Sequence, residues 1–470
     1  MEIVDCTPRP TPLIESMRNV GYTMETAVAD IIDNSIAAKA SNVQIFHSCE
    51  DGLARLAILD DGYGMTREEL IEAMRPGGVG PLQEREIHDL GRFGLGLKTA
   101  SFSQCRRLTV VTRTLNTTPL SVCWDLDEMK DRWCLALTHG ETAYAAPWAD
   151  ALAEKPGTLV LWEKMDKICS SFSSHDIFRD DFLKHIELVR NHLALVFHRF
   201  LEDKKNYNFS ISVNNQSIRP IDPYFRAYHA TQSLQEEFIS VRRTKVSVKP
   251  FIIPHYSKLK AADYDALKEL GGPAATQGFY VYRNRRLLAW GDWFRLRRTK
   301  TEASGLARVM VDIPNDLDDL WSLDIKKSSV SPPEVVKREL LRIIDRITDC
   351  SVRTYTSRGQ RFSAKKYSPW EWDVSNKGVF YHISKNYPII EALADKLPAS
   401  ERNEFFTLLD IIQKFLPVEA IYNNKLGGNI DYAQMNAAVE PEKCEIVAAL
   451  LQNHGLSESE ISSIIKSITK

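Results

Sequence analysis

The sequence predicts an α+β protein with two α/β domains and a mostly helical C-terminal region. Apolar residues recur at helical spacing between residues 23 and 40, and runs rich in branched and aromatic residues follow them. A chain of 470 residues is also too long for one typical core. We therefore predict an arm over residues 1–22, α/β domains over 23–205 and 206–356, and a mostly helical region over 357–470.

Composition excludes several classes of protein. The formal net charge of −2 gives no global field that would attract nucleic acid, so any basic surface must be local. The eight cysteines are scattered without a zinc-type spacing. The N-terminus lacks the features of a signal peptide, and no apolar run reaches the roughly 18 residues of a membrane helix. We expect a cytoplasmic protein without a membrane partner.

The first strong helix pattern is "TMETAVADIIDNSIAAKA", with Thr23 as the expected N-cap. Asp30 and Asn34 are four residues apart and share a helix face, and Asp33 lies within a turn of both. A carboxylate and an amide oxygen on one face suit a hydrated Mg²⁺, and the carboxylate could orient an attacking water. The alternative is a solvated polar face.

The second pattern, "ILDDGYGM", ends an apolar strand with Asp60, Gly62 and Gly64, followed by Met65. Glycines allow a ligand to approach the backbone, and an aspartate can accept a hydrogen bond from an exocyclic amine. The alternative is an ordinary Asp-Gly turn at the end of a strand.

The third pattern, "GRFGLGLKTAS", matches neither the dinucleotide fingerprint nor the P-loop. It places Gly91, Gly94 and Gly96 before a helix whose N-terminal amides favour phosphate, with Lys98 as a point charge. A fourth pattern, "PGTLV", places Gly157 and Thr158 at the start of a strand.

In this order and spacing, the four patterns resemble the ATP-binding domain of the GHKL superfamily, which gyrase, large heat-shock chaperones, histidine kinases and MutL share. The resemblance implies a Bergerat-type α/β sandwich that binds ATP and Mg²⁺. It implies that Asp60 reads the adenine amino group, Asn34 helps to hold Mg²⁺ and Asp30 is the general base. The remaining nucleotide-binding residues that it implies are Gly62, Gly64, Met65, Gly91, Gly94, Leu95, Gly96, Lys98 and Thr158.

Two further features follow from the resemblance. The family's ATP lid corresponds to residues 75–96. Most members have glutamate at the position of Asp30, and aspartate is one methylene shorter. We therefore expect slow turnover more than weak binding.

Residues 207–350 resemble the transducer domain that follows the ATP domain in gyrase, MutL and the chaperones. The resemblance makes Lys327, or its neighbour Lys326, a candidate contact to the γ-phosphate. A solvated lysine pair before a helix is the alternative. A histidine kinase is disfavoured, because only about 20 residues precede the ATP domain and no phosphoacceptor helix fits there.

The stretch "PRPTPLIESMRNVGYTMETAVADIIDNSIAAKA" is most similar to the bacterial MutL-like and MORC-like ATPases. That similarity implies an ATP-dependent homodimer, with residues 1–22 as an exchanged arm. It also implies partner proteins from a defence or repair operon. A chaperone-like ATPase and an ATP-sensing module with little turnover remain alternatives.

The run from Arg283 to Lys300, "RNRRLLAWGDWFRLRRTK", alternates basic residues with Trp290, Trp293 and Phe294. Arginines with interleaved aromatic residues are typical of nucleic-acid binding, so DNA is a candidate partner. The alternative is that the aromatic residues are core and that the arginines pair with the acidic loop "NDLDDLW". The sequence leaves both interpretations open.

Overall fold

The structure is a computed structural model, and it confirms the predicted α+β class. It describes residues 8–19, 21–50, 52–76, 96–129, 133–168, 175–294, 296, 304–317, 320–323, 330–344, 346–347, 351, 369–375, 378–414, 441–453 and 456–468. The chain divides into two compact units, residues 1–355 and residues 356–470. Both predicted α/β domains lie in the first unit.

The first domain is built on an eight-stranded sheet. Its strands are β1 (Asn42–Glu50), β2 (Leu53–Asp60), β3 (Arg107–Arg113), β4 (Leu120–Asp125), β5 (Ala136–His139), β6 (Gly157–Glu163), β7 (Ser210–Val213) and β8 (Gln216–Ser217). The spatial order is β5-β4-β3-β6-β2-β1-β7-β8. Neighbouring strands are antiparallel, except that β1 and β7 are parallel.

Helices complete the first domain. They are α1 (Pro10–Arg18), α2 (Met24–Ala37), α3 (Arg67–Met74), α4 (Gly96–Gln104), α5 (His175–Val196) and α6 (His198–Glu202). Helix α2 packs against α4 and α5, with Val28 and Ile32 fully buried in the main core. Thr23 is the N-cap, as predicted, and it forms a capping box with Thr26. This packing fixes α2, on which Asp30, the predicted base, and Asn34, the predicted Mg²⁺ ligand, lie.

The end of the first domain differs from the predicted boundary at residue 205. The run "NFSISVNNQSI" was assigned to the second domain, but β7 pairs with β1 in the first sheet from Asn42↔Ser210 to Ile45↔Val213. A short strand's pattern of branched residues does not identify the sheet that it joins. The first sheet therefore extends to Ser217.

The second domain is a smaller sheet with helices. Its strands are β9 (Gln232–Ser233), β10 (Glu237–Val241), β11 (Thr244–Ile252), β12 (Gly278–Arg283), β13 (Arg286–Asp292) and β14 (Ala307–Ile313), and a separate pair is β15 (Ser322–Leu323) with β16 (Val330–Ser331). The order is β10-β11-β14-β12-β13, with β9 on β11. The helices are α7 (Ala261–Glu269), α8 (Gly272–Thr276) and α9 over residues 334–344. Strand β13, at one end of this order, contacts α5 of the first domain.

The arm predicted over residues 1–22 contains a docked helix. Helix α1 packs on α4, and Ile14 is buried. Arg18 is also buried; its Nε donates to the carbonyl of Phe102 at 2.9 Å, and it forms an ion pair with Asp166. Residues 8–18 therefore fold onto their own domain in this structure.

The second unit contains the antiparallel hairpin β17 (Trp370–Ser375) and β18 (Gly378–Ile383), then α10 (Pro388–Ala394), α11 (Ala399–Lys414), α12 (Pro441–Asn453) and α13 (Glu458–Ile468). A small core joins Ala392, Leu451, Ile461 and Ile464. Across the described residues of the whole chain, no helix combines the length and apolar character needed to cross a membrane.

Candidate active site

One end of the candidate site is the carboxylate of Asp60 at the end of β2. Its Oδ2 accepts a hydrogen bond from Ser35 Oγ at 2.8 Å, and its Oδ1 accepts one from the Gly62 amide at 3.0 Å. Burial raises the pKa of Asp60, and these hydrogen bonds act in the opposite direction. Ser35 lies on α2, so this contact ties the helix to the end of the strand.

The glycines after Asp60 are required by close packing within the protein. A Cβ on Gly62 would lie 2.8 Å from the carbonyl oxygen of Ala38. Gly64 has a φ of +72°, and its Cβ would lie 2.0 Å from the carbonyl oxygen of Arg113. The described structure therefore gives both glycines a packing role, where the sequence had suggested approach by a ligand.

A threonine hydroxyl joins this loop to the strand that carries Thr158. Thr112 Oγ1 accepts a hydrogen bond from the Met65 amide at 2.9 Å and donates to the Gly157 carbonyl at 3.1 Å. It also lies 3.1 Å from Thr158 Oγ1. The structure thus brings Asp60, Met65 and Thr158 together, and it adds Thr112, which sequence reasoning missed. The pairing of β3 with β6 places Thr112 opposite Thr158, and no local pattern identifies it.

The other end of the site is the buried carboxylate of Asp30. Tyr22 donates a hydrogen bond from its hydroxyl to Asp30 Oδ2 at 2.8 Å. Burial and the Asp30 charge raise the pKa of Tyr22, so the phenol keeps its proton and remains a donor. A Cβ on Gly96 would lie 4.0 Å from the same oxygen, so the start of α4 is adjacent to Asp30.

Asn34 lies one helical turn beyond Asp30, and its side chain is exposed. An exposed amide oxygen one helical turn from a buried carboxylate suits the oxygen ligands and retained waters of Mg²⁺. The role of Asn34 as a Mg²⁺ ligand stays a prediction. Tyr22, which sequence reasoning placed in the arm, belongs to the site.

Lys98 lies on α4 and is buried. Its Nζ donates to the carbonyl oxygens of Ala73 and Arg75, both at 2.8 Å, at the end of α3. Burial lowers the pKa of Lys98 to about 8. The ammonium group thus caps α3 at the point where the predicted lid begins. It has three N–H donors, so it could contact a phosphate while it keeps both carbonyls.

The two carboxylates of α2 are joined to the second domain by Arg286. Its Nε donates to Asp33 Oδ2 at 2.9 Å, and its Nη2 lies 3.6 Å from Asp30 Oδ1. Arg286 and Asp33 are 4% and 1% exposed, so water does not replace either partner. One of the two interpretations that the sequence left open places Arg286 on a DNA-binding surface.

Other described residues of the run from Arg283 to Lys300 also make contacts within the protein. Trp293 is buried, and Trp290 packs against the main core. Arg285 donates to Asp203 at 2.8 Å and lies 4.5 Å from the centre of the Tyr207 ring. These aromatic residues are core, as the alternative interpretation held, but Arg285 and Arg286 pair with the first domain.

Several predicted residues lie outside the described part of the chain. They are Gly91, Gly94, Leu95, Arg295, Arg297, Arg298, Lys300, Asp318, Asp319, Lys326 and Lys327. Most of the predicted lid, residues 77–95, is among them. Their roles stay predictions.

Comparison with known proteins supports the motif-based assignment. The family described as "Histidine kinase-, DNA gyrase B-, and HSP90-like ATPase" matches residues 22–146. The chain is similar to ATPase morc-1 of Caenorhabditis elegans, with 33% identity over 88 residues, or 19% of this chain and 10% of that protein.

Two DNA mismatch repair proteins MutL are also similar. The Rhodopseudomonas palustris protein is 33% identical over 89 residues, or 19% of this chain and 15% of that protein. The Clostridium beijerinckii protein is 36% identical over 76 residues, or 15% of this chain and 11% of that protein. The chain therefore covers a small part of each relative's length. Together these matches confirm the resemblance drawn from the four sequence patterns.

The position of Lys98 yields a test of its predicted phosphate contact. At pH 8 about half of the buried amines are neutral, because the pKa is about 8. A bound phosphate would stabilise the ammonium form and raise this pKa, so MgATP binding should be accompanied by proton uptake. Calorimetry in buffers of different ionisation enthalpy should find about half a proton more for the wild type than for Lys98→Met. Equal uptake would contradict the predicted contact between Lys98 and a phosphate.

Proposed function

We propose that this protein is a Mg²⁺-dependent ATPase that acts as a dimerising switch or clamp, because residues 22–146 match the family of histidine kinase-, DNA gyrase B- and HSP90-like ATPases and the chain is similar to MORC and MutL proteins. The observation that carries the proposal is the arrangement around α2. This helix holds a buried carboxylate at Asp30 and, through Ser35, contacts a second buried carboxylate at Asp60.

The chemistry assigned to each end follows from its hydrogen bonds. Asp60 is held by Ser35 and Gly62 and would accept a hydrogen bond from the adenine amino group. Asp30 is held by Tyr22 and would take a proton from the attacking water. Mg²⁺, when bound through Asn34, would neutralise charge on the phosphates.

The second domain would sense the γ-phosphate. A cation delivered from another domain has a partner only while that phosphate is present, so it can couple phosphate state to domain position. We assign this contact to Lys327 or Lys326 because of the resemblance to transducer domains. ATP-dependent dimerisation is proposed on the same ground.

DNA is the proposed target, within a defence or repair system. Support comes from two relatives that are named as DNA mismatch repair proteins. Arg286, Trp290 and Trp293 do not supply the surface, because they pack or pair within the protein. Partner proteins from the same operon are part of the proposal.

An ATP sensor with little turnover is the second candidate. Asp30 is one methylene shorter than the glutamate of most relatives, and both Tyr22 and Arg286 hold it in place. A short, restrained base favours slow hydrolysis more than weak binding. Measured turnover at saturating MgATP separates the two candidates.

Two substitutions should separate hydrolysis from binding. Asp30→Asn should keep MgATP affinity within about threefold while hydrolysis falls about 100-fold or more, because the amide cannot accept the proton. Asp60→Asn should weaken MgATP binding about tenfold or more, because the acceptor for the adenine amine is altered. Calorimetry and phosphate release measure the two effects. An Asp30→Asn protein that hydrolyses ATP at the wild-type rate would refute the assignment of the base.

Nucleotide state should control assembly. Light scattering should give a dimer with a non-hydrolysable ATP analogue and a monomer with ADP, because the γ-phosphate is what the second domain would read. The Asp60→Asn protein, at analogue concentrations that saturate only the wild type, should remain a monomer. The same mass with every nucleotide would contradict the switch.

A further inference from the structure

We propose that Arg286 of the second domain is a positioning residue for hydrolysis, so that docking of this domain sets the geometry of the Asp30 carboxylate. The inference rests on the proposed function, in which Asp30 is the general base. Arg286 is a different residue from Lys326 and Lys327, one of which is expected to contact the γ-phosphate.

The guanidinium of Arg286 contacts two carboxylates on α2. Its Nε donates to both oxygens of Asp33, at 3.0 Å and 2.9 Å, and its Nη2 lies 3.6 Å from Asp30 Oδ1. Tyr22 holds the other oxygen of Asp30 at 2.8 Å. The Asp30 carboxylate thus accepts a hydrogen bond from a phenol of its own domain and lies at ion-pair distance from a guanidinium of the second domain.

The backbone of the second domain fixes the position of Arg286. Asn284 and Arg285 have φ values of 46° and 71°, which make the two-residue turn between β12 and β13. Arg286 is the first residue after this turn, and its Nη1 donates to the carbonyl of Leu287 at 3.0 Å. The ring of Phe197 lies 5.9 Å from the guanidinium carbon. The side chain is therefore held at several points.

Electrostatics explains why a permanent cation is needed here. Asp30 and Asp33 lie one turn apart on α2, and both are buried, so their like charges oppose each other in a region of low dielectric. Arginine keeps its charge in proteins, and its two kinds of nitrogen can address two acceptors. The nearby His192 does not supply this charge, because burial and Arg286 lower its pKa to about 3.

The contact also couples the two domains. Arg286 belongs to the sheet of the second domain, whereas Asp30 and Asp33 belong to the helix of the ATP site. Any movement that withdraws β13 from α2 removes the guanidinium from the Asp30 carboxylate. Hydrolysis would then respond to the position of the second domain even when ATP stays bound.

Arg285 provides a matched control. It is the preceding residue on the same turn, but its guanidinium pairs with Asp203 and stacks on Tyr207, away from α2. Its substitution removes one positive charge from the same hairpin and from the same domain contact. It leaves the carboxylates of α2 untouched.

The test measures MgATP affinity, turnover and melting temperature for full-length variants. Arg286→Met and Arg286→Lys should lower kcat about tenfold or more with MgATP affinity changed less than about threefold, because a small displacement of a catalytic group is enough to slow reaction. Lysine ends in a single nitrogen and lacks the planar fork by which Arg286 reaches Asp33 through Nε and Asp30 through Nη2, so it does not reproduce this geometry. Arg285→Met should change kcat less than about twofold.

A double variant separates positioning from simple stabilisation. Arg286→Met with Asp33→Asn removes both members of the buried pair, so it should recover most of the melting temperature lost in Arg286→Met. If Arg286 positions Asp30, kcat of the double variant stays low. Recovery of wild-type kcat in the double variant, or normal kcat in a folded Arg286→Met protein, would overturn the inference.

The same set distinguishes failure of the inference from failure of the proposed function. If Asp30→Asn is hydrolytically inactive but the Arg286 variants have a normal kcat, only the inference about Arg286 is refuted. The assignment of Asp30 as the base then stands. An Asp30→Asn protein of wild-type activity would refute the base, and with it the proposed role of Arg286.

Discussion

Three polar side chains of α2 are buried, and the need to pair them constrains how the first unit is assembled. Asp30, Asp33 and Ser35 are all at most 4% exposed. Each finds a partner in another segment: Tyr22 before the helix, Arg286 in the second domain and Asp60 at the end of β2. A buried charge without a partner is costly, and loss of one member of a buried ion pair costs about 3–5 kcal/mol.

This constraint also creates the site. The hydrogen bond from Ser35 to Asp60 sets the separation between the adenine end and α2, while Tyr22 and Arg286 set the orientation of Asp30. The interactions that stabilise the fold are therefore the ones that arrange the groups proposed to act on ATP. A substitution among them is expected to affect both stability and activity, so each experiment needs a measure of folding.

The parts of the site that are local in sequence could be predicted. The cap at Thr23, the spacing of Asp30 and Asn34, and the strand that ends at Asp60 are all short-range patterns, and the structure places them as expected. Contacts between distant segments could not be predicted. Arg286 and Asp33 are 253 residues apart, and Thr112 meets Thr158 only through strand pairing.

The role of charged and aromatic runs could not be predicted for the same reason, because it depends on contacts between distant segments. The run from Arg283 has the composition of a nucleic-acid surface, yet Trp293 is buried and Arg286 points to α2. The amino-acid composition of an edge strand does not show which of its side chains face a neighbouring domain. The assignment of β7 to the first sheet has the same cause, since its partner β1 lies more than 160 residues earlier.

An experimental structure of the full-length Asp30→Asn protein with MgATP would test the central claim most directly. The account predicts the adenine amino group on Asp60, Mg²⁺ on Asn34, and the guanidinium of Arg286 in contact with Asp33 and with the side chain at position 30. Nucleotide bound away from α2, or Arg286 withdrawn from Asp33 in the ATP-bound protein, would contradict it.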